Sequence, residues 1–175
     1  MKKTGKLLWT GTLFIVAGIL TGCATTANVK EIKALPTERT ENFVLSSMSL
    51  EVIDKTPGQN NQKFIQPLEE ELKKELTNNG FQVDPNAENI LKVALTKISI
   101  VTVAKRLLLG IFGGQSSLET EVVLTDKTGA SLTEFKVTSN AGIRAALFEA
   151  DSIQRTTKKL AQEIVSRLKS FKNQK

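Results

Sequence analysis

The chain has 175 residues, with 24 lysines and arginines against 18 aspartates and glutamates, and a formal net charge of +6. It contains one cysteine, no tyrosine and no histidine, so it has no imidazole to activate a serine or cysteine nucleophile and no histidine for a zinc site. Without Lys2, Lys3 and Lys6, 21 basic residues remain against 18 acidic ones, a net charge of +3. This charge is too mild to indicate a nucleic-acid-binding protein, in which a basic stripe is expected.

The first 22 residues have the layout of a secretory signal peptide. Lys2, Lys3 and Lys6 precede an apolar run from Leu7 to Leu20. This run of 14 residues is shorter than the roughly 20 residues that a helix needs to cross a bilayer core. The sequence therefore predicts a signal peptide over residues 1–22, and a retained membrane helix is the weaker interpretation.

The end of the apolar run contains the only cysteine. Leu20-Thr21-Gly22-Cys23 resembles the lipobox of bacterial lipoproteins. The resemblance implies that the Cys23 thiol receives a diacylglyceryl group and that a lipoprotein signal peptidase cuts before it. Two or more acyl chains anchor a protein stably without spanning the membrane. The alternative is an ordinary buried thiol that follows a signal peptide.

The residue after the cysteine bears on the location of such a lipoprotein. In Gram-negative lipoproteins an aspartate there favours retention in the inner membrane, whereas this chain has Ala24. The resemblance therefore implies the periplasmic face of the outer membrane, or the cell membrane if the host is Gram-positive.

The rest of the chain divides into a tether and one domain. Residues 24–41 are small and polar and show no sustained apolar period, so residues 23–41 are expected to be the lipidated cysteine and a flexible tether. Residues 42–175 are long enough for a single periplasmic domain with its own core.

The spacing of apolar residues predicts an α+β fold. A mixed, mostly antiparallel sheet with two amphipathic helices on one face is the economical architecture for this order of elements. The predicted elements are a strand over 42–53, a helix from Pro67 to a C-terminal cap at Gly80, a short strand over 81–83, a strand over 90–103 with a bulge near Thr96 and Lys97, a hairpin of 117–125 and 132–138, and a helix over 151–172.

Two short motifs resemble catalytic loops but fit turns better. Asp126-Lys127-Thr128-Gly129 resembles the phosphorylated-aspartate motif of P-type ion pumps. Those pumps need several membrane helices and a nucleotide domain, so we expect a hairpin turn with positive φ at Gly129. Gly110-x-x-Gly113-Gly114 lacks the spacing of phosphate-binding loops.

The run Leu107–Phe112 is unusually apolar for a connection between strands, and Lys105 and Arg106 precede it. An exposed apolar loop usually marks a contact with a protein or a membrane, and the alternative is core. Leu107 and Leu109 are expected to be core residues. The candidate contact residues for a partner or ligand are Leu108, Ile111 and Phe112.

A series of short motifs runs along the chain: the stripe of Leu68, Leu72 and Leu76 that ends in Gly80-Phe81, then Ala87-Glu88, Leu108-Leu109-Gly110-Ile111-Phe112-Gly113-Gly114, Leu124-Thr125-Asp126 and Thr128-Gly129. This pattern as a whole resembles a group of small bacterial lipoproteins known only as a domain of unknown function. More distantly, the order of elements is similar to the domain shared by the curli-secretion lipoprotein, the amino-terminal domain of the Tol-system propeller protein, and the lipoprotein activators of peptidoglycan synthases. Those relatives are envelope adaptors or pore builders.

The leading hypothesis is a non-enzymatic envelope adaptor or assembly factor that is anchored by a lipid and docks onto another envelope protein. The alternative is a carrier of a lipid or small apolar ligand, with a groove beside Leu108 and Phe112. The third is an enzyme that uses only carboxylates, Glu119 with Glu121 or Asp126. No catalytic residue, metal ligand, cofactor or nucleic-acid partner is expected, and the oligomeric state is left open.

Overall fold

A computed structural model of the chain describes residues 25–34, 45–57, 61–101, 108, 116–141 and 149–172. These residues form six strands and two helices. In chain order the elements are β1 (Thr26–Lys33), β2 (Ser47–Asp54), α1 (Gln62–Asn78), β3 (Gln82–Val83), β4 (Ile90–Ser99), β5 (Ser116–Thr125), β6 (Ser131–Ala141) and α2 (Glu149–Lys172).

The strands form one mixed sheet in the order β1-β6-β5-β4-β2-β3. β2 runs parallel to β3 and β4, and the other neighbouring strands pair antiparallel. The register of β4 shifts between Leu95 and Lys97, which confirms the predicted bulge. Gly80 and Gly129 have φ of 75° and 80°, as expected for a helix cap and a hairpin turn. The predicted α+β fold with a mostly antiparallel sheet is confirmed.

Both helices pack on one face of the sheet. The α1 leucines Leu68, Leu72 and Leu76 are completely buried, as are Leu160 and Leu168 of α2. Because side chains alternate along a strand, each strand contributes every second residue to this layer. The sheet residues in the same apolar cluster include Leu91, Val93, Val122, Leu124, Phe135 and Val137.

The opposite face of the sheet is charged. Nζ of Lys92 lies 3.3 Å from a carboxylate oxygen of Glu51 on the neighbouring strand. Nζ of Lys136 lies 2.7 Å from a carboxylate oxygen of Glu121. Such cross-strand ion pairs are common on a sheet face that is in contact with water.

The prediction of a tether over residues 24–41 is wrong for Thr26–Lys33, because these residues form β1, an edge strand of the sheet. Ala27 and Val29 pack against the core, and their neighbours Asn28 and Lys30 are exposed. Two small inward side chains are a weak strand pattern. The backbone pairing with β6, which lies about a hundred residues away in sequence, decides the conformation of this segment.

Helix α1 begins earlier than predicted. The sequence predicts a start near Pro67, but the helix begins at Gln62 and Pro67 lies inside it. Phe64 and Ile65, in the added turn, are only 1% and 7% exposed. Their burial outweighs the cost of a proline that donates no N–H to the carbonyl of residue 63.

We therefore expect Pro67→Ala to raise the free energy of unfolding by about 1–2 kcal/mol, because it restores a donor inside a helix. The exposed neighbour provides the control, and Gln66→Ala should change stability by less than about 0.5 kcal/mol. Urea unfolding followed by circular dichroism measures both. A loss of stability in Pro67→Ala would instead support a helix that begins at the proline.

Candidate functional site

The structure describes one of the four residues that the sequence singles out. Cys23, Ile111 and Phe112 lie outside the described residues. Leu108 exposes 85% of its surface, and the next most exposed large apolar residue of the described set, Ile32, exposes 48%. A contact function for Leu108 stays a prediction, but its side chain is available for one.

The beginning of β1 lies at one end of the sheet. Thr26 pairs with Asn140 of β6, Asn140 pairs with Ser117 of β5, and Ser117 pairs with Ser99 of β4. We call these four residues the N-terminal row. The chain therefore leaves β4 and enters β5 at the same end of the sheet at which it enters β1. The connection between β4 and β5 contains Leu108.

β1 is attached to the domain by side chains as well as by its pairing with β6. Nζ of Lys33 donates to the carbonyl of Ser131 at 2.7 Å, and Oγ1 of Thr133 donates to the carbonyl of Lys33 at 2.9 Å. A guanidinium nitrogen of Arg167 on α2 lies 2.5 Å from a Glu31 carboxylate oxygen. The Arg167 guanidinium also lies over the ring of Phe171, 4.9 Å from its centre. Sheet and helix thus both hold β1.

Substitutions on the two faces of β1 test whether it is part of the folded domain. Val29→Ser should lower the free energy of unfolding by about 1–2 kcal/mol, because it removes apolar surface from the core. Asn28→Ser, on the exposed face of the same strand, should stay within about 0.5 kcal/mol of the wild type. Chemical unfolding of both variants gives the values. Equal stability of the two would mean that this segment is a tether.

A cleft lies where β4 continues beyond the end of β2. Asp54, the last residue of β2, pairs with Leu95, and β4 continues along β5 to Ser99. Within the described ranges no strand pairs with this side of β4 beyond Leu95. The cavity at this open edge has a volume of about 680 Å³, and we call it the β4 cleft. Its lining includes Lys63, Lys97, Lys136, Glu119, Ile98 and Ile100.

The lining of the β4 cleft is positively charged, with three lysines, Lys63, Lys97 and Lys136, and one carboxylate, Glu119. Lys136 is paired with Glu121, and the hydrogen bond to this carboxylate raises the pKa of Lys136. Ile98 also packs against an apolar cluster. No sequence motif marks the cleft, because its residues come from separate segments. The sequence did indicate the unequal strand lengths that produce the cleft, because the strand predicted over 90–103 is longer than the strand predicted over 42–53.

One wall of the cleft is fixed by a small polar network. Oδ1 of Asp54 accepts hydrogen bonds from the backbone N–H of Thr56 at 2.9 Å and from its hydroxyl at 2.5 Å. Nδ2 of Asn61 donates to Oγ1 of Thr56 at 2.5 Å and to Oδ2 of Asp54 at 3.2 Å. The Thr56 hydrogen bonds lower the pKa of Asp54. The network joins the end of β2 to the residue before α1.

Of the carboxylates considered for acid-base chemistry, Asp126 lies apart from Glu119 and Glu121. Asp126 lies in the turn between β5 and β6, where Oδ1 accepts from the backbone N–H groups of Thr128 and Ala130 at 2.9 and 3.1 Å. Glu121 and Glu119 share a strand face, as expected. The hydrogen bond from Lys136 lowers the pKa of Glu121, whereas a general acid needs a raised one.

The described residues offer no candidate for a metal site or a membrane span. Within these ranges, no three histidine, cysteine, aspartate or glutamate side chains are grouped as ligands for a metal ion. Across the same part of the chain, no helix is both long enough and apolar enough to span a membrane.

The family follows from a sequence comparison. The family model described as Domain of unknown function (DUF4410) matches residues 24–146. The chain belongs to this family. The expected resemblance to a domain of unknown function is thereby confirmed, and the match includes β1. No curated protein matches the DUF4410 chain.

Solved structures share the fold of the DUF4410 chain. A PelC dodecamer from Paraburkholderia phytofirmans has a TM-score of 0.55 at 13% identity, with 82% of this chain and 97% of the PelC chain covered. A dodecamer of a PelC variant from the same organism has a TM-score of 0.52 at 15% identity, with the same coverage. At this identity the likeness shows the fold alone.

Proposed function

We propose that the protein is a lipid-anchored bacterial lipoprotein that acts, without enzymatic chemistry, as an adaptor or assembly factor of the cell envelope. The observation that carries this proposal is the position of β1. The strand begins at Thr26, three residues after Cys23. At about 3.3 Å per residue, the folded domain starts within about 10 Å of the lipidated cysteine. A domain placed so close to a membrane suits contacts with other envelope proteins at that surface, and Ala24 suits the outer membrane.

The contact site in this proposal is the β4 cleft. An extended segment of a partner can add to an open strand edge, where backbone hydrogen bonds supply affinity and side chains supply specificity. Lys63 and Lys97 of the cleft favour an acidic segment, because charge-assisted hydrogen bonds to carboxylates are stronger than neutral ones, whereas Lys136 is already paired with Glu121. Ile98 and Ile100 offer apolar contacts to the alternate side chains. The expected occupant is therefore an extended, acidic segment of a protein.

The alternatives receive less support from the described residues. A carrier of apolar ligands needs a mostly apolar pocket, whereas lysines and a glutamate line the β4 cleft. An acid-base enzyme needs a carboxyl group with a raised pKa, and the pKa of Glu121 is lowered. The solved relatives with this fold are dodecamers, so a second copy of the chain is one form that the partner could take.

The anchor is tested by Cys23→Ser, with Ala24→Ser as the control that keeps the cysteine. The wild type and the control should incorporate labelled fatty acid and sediment with membranes. Cys23→Ser should incorporate none and should stay uncleaved or leave the membrane fraction, because its side chain has no thiol to lipidate. Processing and membrane attachment of Cys23→Ser at the wild-type level would contradict the anchor.

The contact site is tested by reversing one charge in the cleft. Lys97 and Lys74 are both exposed lysines, one in the β4 cleft and one on α1. We expect the wild type and Lys74→Glu to form crosslinked complexes in envelopes, and Lys97→Glu to lose them at least several-fold. Purification in detergent and mass spectrometry identify the partner or a second copy.

Circular dichroism should confirm that both charge variants fold. Equal complexes from Lys97→Glu and Lys74→Glu would exclude the β4 cleft as the contact site. Wild-type protein that remains monomeric and free of partners would overturn the adaptor proposal. Native mass spectrometry of that same sample would then show whether it retains a lipid, as the carrier alternative requires.

A further inference from the structure

We propose that the end of the sheet marked by the N-terminal row rests on the bilayer, and that Leu108 inserts into the lipid beside the acyl chains of Cys23. The inference rests on the proposed lipid anchor. It adds an orientation for the domain and a second point of attachment to the membrane.

The register of the sheet places the two attachments at the same end. Thr26, at which the chain enters the domain, is aligned through Asn140 with Ser117 and Ser99. Neighbouring strands lie about 4.8 Å apart, so Thr26 is about 10 Å from β5 and about 14 Å from β4 across the sheet. The point at which the chain enters the domain and both ends of the connection that contains Leu108 therefore lie close together.

Chain length allows Leu108 to reach a surface at this end of the sheet. Leu108 is seven residues beyond Val101, the last described residue after β4. It is eight residues before Ser116, the first residue of β5. Even a fully extended chain of that length reaches only about 25 Å. Leu108 can therefore reach a membrane surface at this end of the sheet. The turn at Lys127 cannot reach it, because it lies at the far end of β5, a strand of ten residues and about 33 Å long.

Exposure and sequence favour a bilayer over water or protein at Leu108. A leucine that is 85% exposed leaves a large apolar side chain in water unless something covers it. In sequence it stands in the apolar run Leu107–Phe112, directly after Lys105 and Arg106. Basic residues beside apolar ones are typical of segments that bind membrane surfaces, where the charges meet anionic headgroups.

The test uses the full-length lipidated protein in vesicles of phosphatidylethanolamine and phosphatidylglycerol. Cys23 is the only cysteine and its thiol is blocked by the lipid, so Leu108→Cys carries one reactive thiol for the environment-sensitive dye NBD. Lys127→Cys is the matched control, because its side chain is 65% exposed and lies at the other end of the sheet. Flotation with the vesicles reports the anchor independently of the dye.

We expect both labelled proteins to float. The dye at position 108 should show a blue-shifted, several-fold brighter emission that lipids with brominated acyl chains quench, and the dye at position 127 should emit as in water. Flotation with a water-like signal at both positions would overturn the inference, keep the anchor, and leave Leu108 for a protein partner. Quenching at both positions would overturn the end-on orientation. Failure to float would overturn the anchor and this inference together.

Discussion

The apolar layer between the two helices and one face of the sheet is the constraint on which the other features depend. The leucine stripe of α1 and the corresponding stripe of α2 are fully buried against alternate residues of β4, β5 and β6. A one-residue slip of any strand would move its apolar side chains to the charged face, so this layer fixes the register of the whole sheet. The alignment of the N-terminal row and the position of the bulge follow from that register.

The same layer explains why the molecule offers an edge and an end for contacts. Once one face of the sheet is covered by helices, the cross-strand ion pairs of the other face satisfy one another, as Glu121 and Lys136 do. Exposed ion pairs of this kind contribute little to stability. In the described part of the chain, what stays available is the edge of β4 beyond the end of β2 and the exposed side chain of Leu108 in the connection between β4 and β5. Each can be occupied without disturbing the core.

Sequence patterns predicted those elements whose apolar side chains are numerous and regularly spaced. The stripe of α1, the hairpin around Gly129 and the bulge after Leu95 were all predicted because local residues determine them. β1 was missed because Ala27 and Val29 are its only inward apolar residues and its pairing partner is distant in sequence. The start of α1 was misplaced because a local rule for proline competes with the burial of Phe64. The β4 cleft was missed because it arises where β4 continues beyond the end of β2, and neither segment alone shows where their pairing ends.

The edge position of β1 also determines how the domain responds to a pull on the chain at Thr26. When the force lies along the axis of β1, it loads the strand in shear. Such a load is shared at once by the hydrogen bonds between β1 and β6, from Thr26 to Lys33, and by the ion pair of Glu31 with Arg167. A pull across the strand would break these bonds one after another. The fold therefore resists a pull at Thr26 most strongly when the force lies along β1.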